Sequence, residues 1–329
     1  MAKEWKKQLG DILERLTALE DKYEGLGQDM LSYLEGLYYS NGLTYWDYIH
    51  LDSLLGLQNP RTPFRDEVIF ITYHQVTELM FKLVKQEIGL IAEPDNPADL
   101  YDPAHWTKRL ARANNYFRHL TLTFDLMMTG LDGEEVRKFR MALLPASGFQ
   151  SVQYRHIEIM STGLANLTRE GSAEGPLEAV YQQIYWKKGG IDLESGQKTV
   201  TLRMFEEQYD ESLIQLAQKY ATINLAALYQ AGPEAFRSDE GVVAALRSFD
   251  EQVNIFWKLA HLSAASRHLV SDGADIEATG GTNWRTFLPP RFQRIIFYPF
   301  LWTEQELDEW GKAGVVKRFG EQVTRHWMK

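Results

Sequence analysis

Three side chains in this sequence have the types and settings to do chemistry together. His74 stands in Arg65-Asp-Glu-Val-Ile-Phe-Ile-Thr-Tyr-His-Gln-Val-Thr-Glu-Leu-Met-Phe-Lys82, an apolar helical pattern with Phe70 one turn upstream. Residues four apart stack on one side of an α-helix, so Phe70 and His74 share a pocket wall, with Phe81 two turns further along. An imidazole on such a face is either satisfied by a neighbouring carbonyl or put to use. His261 occupies a second amphipathic pattern, Trp257-Lys-Leu-Ala-His-Leu-Ser-Ala-Ala-Ser-Arg267. Arg140, in Val136-Arg-Lys-Phe-Arg-Met-Ala-Leu-Leu-Pro-Ala-Ser-Gly-Phe-Gln150, adds a guanidinium that can hold a carboxylate through two parallel N–H···O bonds. Such a clamp fixes a substrate's polar end while its apolar end reaches the reactive centre. Taken singly, each also has an ordinary structural use, as a core histidine or a surface ion pair.

The spacings exclude several chemistries. Carboxylate-bridged metal sites in helical bundles use Glu-x-x-His, and the residues three before each histidine are Asp47, Ile71, Asp102, Tyr116, Gln153, Lys258, Ala265 and Val323. None is glutamate. No His-Glu-x-x-His occurs, and Gly280-Gly281 has neither the preceding strand nor the following Lys-Ser/Thr of a phosphate loop. The absence of cysteine rules out disulfides, thiolate-ligated haem, iron–sulfur clusters and thiol nucleophiles. Histidines on two long helices among many aromatics leave room for a haem held by a proximal histidine.

At 329 residues with 44% apolar content, the chain can bury a large core in one big domain or two intimate ones. The net charge of -10 argues against a nucleic-acid surface. The longest apolar run, 295–302, contains Pro299 and is too short to cross a bilayer, so no membrane is expected as a partner. The N-terminus does not lead into a signal-type apolar core, which makes a soluble, cytoplasmic protein the expectation.

The elements that must position these residues are helical. Leu9, Ile12, Leu16, Leu19 and Tyr23 form a heptad-like stripe in an N-terminal arm over 1–40, followed by a single catalytic domain over 41–329. The spacing predicts long helices over 66–91, 105–128, 205–231 and 240–269, a shorter one over 134–144, resumed helix over 149–167, and a polar closing helix over 302–327. Loops are expected at 92–103, 168–176, 187–198 and 271–283, and a short hairpin around 199–203. The fold class is all-α, a helical bundle core with additional helices.

Together these segments resemble the tryptophan 2,3-dioxygenase family, a branch of the histidine-ligated haem-dependent aromatic oxygenases. The matching stretches are Leu43-Thr-Tyr-Trp-Asp-Tyr-Ile-His-Leu-Asp-Ser-Leu-Leu55, Asp66-Glu through Phe70 to His74-Gln and Glu78, Phe139-Arg140 with Pro145-Ala-Ser-Gly-Phe-Gln-Ser-Val-Gln-Tyr-Arg155, His261 with Arg267, and Thr279-Gly-Gly281. They occur in family order.

The resemblance implies a role for each matching residue. His261 is similar to the family's axial ligand to the iron of haem b, and His74 to the distal histidine that hydrogen-bonds the indole N–H. Phe70 resembles the aromatic wall, Arg140 the carboxylate clamp, and Thr279 the hydroxyl that closes over the amino acid end. Leu143 and Ser147 correspond to further pocket positions. Tyr45 and Tyr48 resemble the tyrosine pair that a neighbouring subunit delivers in a homotetramer. The implied reaction inserts both atoms of O2 across the C2–C3 bond of L-tryptophan to give N-formyl-L-kynurenine, the entry to tryptophan catabolism by the kynurenine route. Departures from the family pattern are Val136 at an aromatic pocket position, Met80 after Glu78-Leu79, and a longer acidic loop with Asp272, Asp275 and Glu277. They leave two alternatives, a haem monooxygenase of an aromatic amino acid or substituted indole, and a non-catalytic helical oligomeric binding protein.

Overall fold

The computed structural model describes residues 2–40, 42–143, 146–168, 174–192, 195–271, 274–275, 294–312 and 316. The fold is all-α, as the periodicity requires. Strand content among the described residues is one antiparallel pair, Val270–Ser271 with Ala274–Asp275, and the isolated bridges Thr168 to Ile184 and Ile191 to Lys198.

The chain gathers into two compact units, Met1–Gln58 and Asn59–Lys329. In the first, α1 (Ala2–Gly25) is followed by α2 (Met30–Tyr39), α3 (Tyr45–Tyr48) and α4 (Leu51–Leu55). Asp29 starts α2 by accepting the backbone N–H groups of Leu31 and Ser32, satisfying two of the donors a helix leaves unpaired at its start. On the α1 stripe Leu9, Ile12 and Leu19 are exposed, while Leu16 and Tyr23 are half-buried.

The second unit is organised on α5 (Glu67–Ala92) and α6 (Pro103–Thr129). Buried residues on α6 are Trp106, Leu110, Ala113, Phe117, Leu120, Phe124 and Met127, alternating by four and three, which keeps one stripe on the core. Pro103 occupies the first turn of α6, where its missing N–H costs nothing, and Asp102 caps the N–H groups of Ala104 and His105. The segment from α7 (Gly133–Phe139) runs into a 3-10 turn, Arg140–Leu143, and a second 3-10 turn, Gly148–Gln150, leads into α8 (Val152–Ser161). Then follow α9 (Leu177–Tyr181), α10 (Tyr185–Gly189), α11 (Val200–Lys219), α12 (Leu225–Ala231), α13 (Glu234–Arg237), α14 (Glu240–Glu251), α15 (Trp257–Leu269) and α16 (Glu304–Asp308).

Two expectations change. Instead of a hairpin around 199–203, Thr199 caps α11 by accepting from the Leu202 N–H. The long helix expected over 205–231 is two helices, because Asn224 accepts from the Ala227 N–H and starts α12 afresh. The 240–269 pattern is helical throughout, but α14 and α15 are joined by a π turn, Gln252–Phe256. A π turn adds a residue to the helical repeat and so resets which face of α15 meets the core. Of the closing helix expected over 302–327 the described part is α16, started by a capping box between Thr303 and Glu306.

Helix α6 packs along α5, α14 and α15, and α5 packs on α8. The main core gathers Phe81, Trp106, Phe117, Phe205, Phe249 and Phe297 with their aliphatic neighbours. A separate apolar cluster brings together Tyr73 of α5, Phe124 and Met127 of α6, Val136 and Phe139 of α7, and Ala260 and Ala264 of α15. Phe81 belongs to the main core, two turns from His74, rather than to this second cluster.

Candidate active site

The second cluster brings together four of the sequence-predicted residues, Phe70, His74, Leu143 and His261. Phe70 and Leu143 pack at its edge. The Phe70 and His74 rings lie 4.1 Å apart, Phe70 meets Phe139 edge-on at 5.6 Å, and Tyr73 meets His74 edge-on at 5.4 Å. From the other side the His261 ring stacks on Phe124 at 5.7 Å, and Phe124 in turn touches Tyr73 at 5.6 Å and Trp257 at 4.8 Å. An aromatic wall from four helices therefore runs between the two histidines. Such contacts add about 0.5–1.5 kcal/mol each beyond area burial, which fixes the rings in place.

Two acidic side chains set α7 against α5. The Asp66 carboxylate accepts the Asp132 N–H at 2.6 Å, and the Glu135 carboxylate accepts the Asp66 N–H at 3.0 Å. Asp132 also caps α7 through the N–H groups of Glu134 and Glu135. This exchange holds the turn that carries Phe139 and Arg140 beside the turn that carries Phe70. Phe139 is 0% exposed and Arg140 7% exposed. Burial lowers the guanidinium from its usual pKa, since desolvation disfavours the charge.

His74 Nδ1 lies 2.7 Å from the Phe70 carbonyl oxygen. A carbonyl only accepts, so Nδ1 carries the proton and Nε2 presents a lone pair. Burial pushes the His74 imidazole below its ordinary pKa, partly offset by the Phe70 hydrogen bond and the Glu78 charge. Yet part of the ring remains exposed. The two facts fit a residue on the wall of a cavity, ringed by protein and open on one side. His261 is half-buried and held to a pKa of about 4 by burial first and then by the proximity of His74. Both imidazoles are neutral at pH 7, the form that ligates a metal or accepts a hydrogen bond.

The segment after Arg140 also reaches the site. Leu143 is half-buried against the cluster, and Ser147 precedes Gly148, where an added Cβ would lie 3.6 Å from His261 Cε1. Ser147 donates its backbone N–H to the Gln150 side-chain oxygen at 2.9 Å. Tyr45 and Tyr48 lie on α3 of the first unit, 70% and 74% exposed. Thr279, the Gly280-Gly281 pair and most of the 271–283 loop lie outside the described residues. Reasoning from sequence missed Tyr73, Phe124 and Gly148 as wall residues. Tyr73 and Phe124 follow the core spacing of their helices, so only the packing distinguishes them from other core rings.

The fold is all-α, and its candidate site sets two neutral histidines from separate helices about an aromatic wall, with a buried arginine on the turn after Phe139. The sequence profile of the family described as Tryptophan 2,3-dioxygenase matches residues 36–169, a span that includes Tyr45, Tyr48, Phe70, His74, Arg140, Leu143 and Ser147. The chain is similar to the tryptophan 2,3-dioxygenase of Bordetella pertussis, 29% identical over 281 residues, 80% of this chain and 90% of the relative. It is similarly 29% identical over 279 residues to that of Bradyrhizobium diazoefficiens, covering 80% and 92%. A 120-residue stretch, 36% of this chain and 42% of the relative, is 38% identical to that of a Ruegeria species. Over 80% of its length the chain is thus similar to tryptophan 2,3-dioxygenases, at an identity that marks it as divergent from them.

Proposed function

We propose that this enzyme is a haem-dependent dioxygenase that inserts both atoms of O2 across the indole C2–C3 bond of L-tryptophan, cleaving it to N-formyl-L-kynurenine. The observation that carries the reading is the His74 tautomer. With Nδ1–H committed to the Phe70 carbonyl, Nε2 is an acceptor beside an aromatic wall, matched to a flat ring that carries one N–H.

The residues fit a haem. Among the described residues no three His, Asp or Glu side chains converge to hold a bare metal ion. His261 offers one neutral imidazole, and a porphyrin needs one protein ligand because it supplies four of its own. Bound there, haem b would supply ferrous iron for O2 activation. The remaining work is positioning. Arg140 pairs with the substrate carboxylate, Phe70 packs on the indole, and Leu143 and Ser147 complete the pocket. His74 orients the ring through its N–H without acting as a base. Thr279 closes over the amino acid end, and Tyr45 and Tyr48 enter from a neighbouring subunit of a homotetramer. The exposure of both tyrosines on α3 supports that last assignment. No helix of the described residues is long and apolar enough to cross a membrane, in keeping with a cytoplasmic enzyme.

One observation favours a second reading. Val136 sits in the wall beside Phe139, one turn before Arg140, and is smaller than the rings around it. A roomier pocket suits a substituted indole or another aromatic amino acid, and with such a substrate a single-oxygen hydroxylation. Anaerobic titration of the reduced, haem-loaded protein with L-tryptophan, followed by O2 and mass analysis, decides between them. Gain of two oxygen atoms with ring opening supports the dioxygenase, and gain of one supports the monooxygenase. A protein that takes up no haem points to the third alternative, a non-catalytic binding protein.

A further inference from the structure

Glu78 lies one turn after His74 on α5, is half-buried, and reaches with its side chain Ser151, the N-cap of α8, and Gln153 on α8. The Ser151 hydroxyl donates to Glu78 Oε1 at 2.6 Å, and Gln153 Nε2 donates to Glu78 Oε2 at 3.2 Å and to the Glu78 carbonyl at 2.7 Å. The same Ser151 hydroxyl accepts the Tyr154 N–H at 3.3 Å and so caps α8. Gln153 Oε1 in turn accepts from Lys85 Nζ at 3.4 Å.

Ser151 closes the 3-10 turn that starts at Gly148, donating its backbone N–H to the Gly148 carbonyl at 3.3 Å. On its far side the turn is tied to α11, where Gln150 Nε2 donates to the Thr201 carbonyl at 3.2 Å. Gly148 faces the Cε1 edge of His261. Hydrogen bonds thus run from the helix of His74 through Glu78 and Ser151 to Gly148, where even one added carbon would touch the ring of His261.

We propose that Glu78 is a positioning residue: its carboxylate fixes the 147–151 turn at a set distance from the His74 helix, and thereby sets the spacing of the two histidine walls of the site. It rests on the proposed function only in taking His74 and His261 as the two sides of that site. A charge-assisted hydrogen bond is stronger than a neutral one, which suits a carboxylate to a tie that must hold a turn with little core of its own. The carboxylate also acts on His74 electrostatically, opposing the effect of burial. The other titratable groups along this seam include Lys82 and Lys85 on α5, His156 on α8 and His261 on α15.

The test uses the full chain without substrate, comparing amide hydrogen exchange with NMR titration of the histidine side chains. Glu78→Ala is expected to speed exchange at 146–151 by about tenfold or more while α6 stays protected. It also moves the His74 midpoint to lower pH. Glu78→Gln keeps an acceptor for the Ser151 hydroxyl, so it restores most of the protection and leaves the midpoint low. Ser151→Ala opens the turn without moving the midpoint. Unchanged exchange at 146–151 in both Glu78→Ala and Ser151→Ala overturns the proposal. So does a rise spread evenly over the chain, the mark of general destabilisation. Because no substrate is present, these readouts stand even if L-tryptophan proves to be the wrong substrate.

Discussion

His74 gives its Nδ1 proton to the carbonyl of Phe70, 2.7 Å away on the preceding turn, and the same Phe70 presents its ring to His74 at 4.1 Å. One residue therefore fixes both the tautomer of the imidazole and the wall beside it. In the proposed function the resulting acceptor would distinguish substrates by a single proton.

Removing that acceptor should cost the value of one buried hydrogen bond, about 1.5–3 kcal/mol, or ten- to a hundredfold in kcat/KM. His74→Ala is expected to lose this for L-tryptophan and to lose little for 1-methyl-L-tryptophan, which has no indole N–H. Steady-state kinetics on both substrates and both proteins measures the difference. A wild-type enzyme indifferent to the methyl group would remove His74 from the substrate-orienting role.

Burial also makes stability depend on pH. His156 and His261 are both held to about 4, and His74 is lowered as well. Unfolded imidazoles take up protons below about 6.5, whereas these resist, so their stabilising effect is full above that pH and lost as pH falls towards 4. Asp250, raised to about 6 by burial, works the other way over part of the same range. A variant compared with its parent isolates one group. His156→Gln should be less stable than wild type at pH 7, with the gap in Tm narrowing by pH 5, as followed by calorimetry. A constant gap would show that His156 titrates as an exposed imidazole.

The long helices were legible because apolar spacing reports a buried stripe whatever it packs against. On α5 the buried Tyr73, Thr77, Phe81, Val84, Ile88 and Ile91 follow that spacing, and the predicted bounds of 66–91 fall within a residue of Glu67–Ala92. The π turn at Gln252–Phe256 left no such trace, since inserting one residue into a helix changes its phase and not its composition. The break at 220–224 was missed for a related reason: Asn224 begins a helix by side-chain capping, a short-range signal hidden inside a continuous apolar pattern. Phe70, His74, Arg140 and Leu143 could be named from motifs. The Glu78 tie to Ser151 joins residues far apart in the chain through polar side chains, and periodicity carries no information about it.

Arg140 is buried on the turn after Phe139, where burial disfavours the guanidinium charge. Arg140→Leu keeps an apolar stem in the buried position, so Tm is expected to change little beside the loss of substrate binding. Substrate binding should weaken by about a hundredfold, the value of a charged pair worth roughly 2–4 kcal/mol. Arg140→Lys recovers little, since an ammonium cannot make the two-pronged contact. Equilibrium binding alongside thermal melting separates the two effects, and a large loss of Tm would assign Arg140 to the fold instead.

Asp250, 0% exposed, gathers four donors: Asn254 Nδ2 at 2.8 Å, the backbone N–H groups of Phe297 at 2.9 Å and Tyr298 at 3.1 Å, and Trp302 Nε1 at 3.1 Å. It staples the 294–302 segment onto α14, just ahead of the π turn. Asp250→Asn replaces one acceptor with an amide that faces the same donors, so buried N–H groups lose their partners. The expected loss is about 2–4 kcal/mol, read from urea denaturation. A loss under about 0.5 kcal/mol would mean that the segment is held by its apolar contacts alone.

Val136 tests how the wall sets substrate choice. It shares the cluster of Tyr73, Phe124 and Phe139 and stands one helical turn before Arg140, so in the proposed function a ring placed there would lie along the substrate on the carboxylate side. Val136→Phe adds bulk to a site that is 7% exposed, which costs about 1–3 kcal/mol of stability if the ring is forced into packed core and less if it enters open pocket. In the proposed geometry it enters the pocket. The variant should therefore keep most of its Tm and its activity on L-tryptophan while losing at least about tenfold in kcat/KM on a ring-methylated tryptophan, the discrimination one methyl group ordinarily supports. A variant that loses stability and treats both substrates alike would put Val136 in the core, and the room for a larger indole would have to be sought at Leu143 or Ser147.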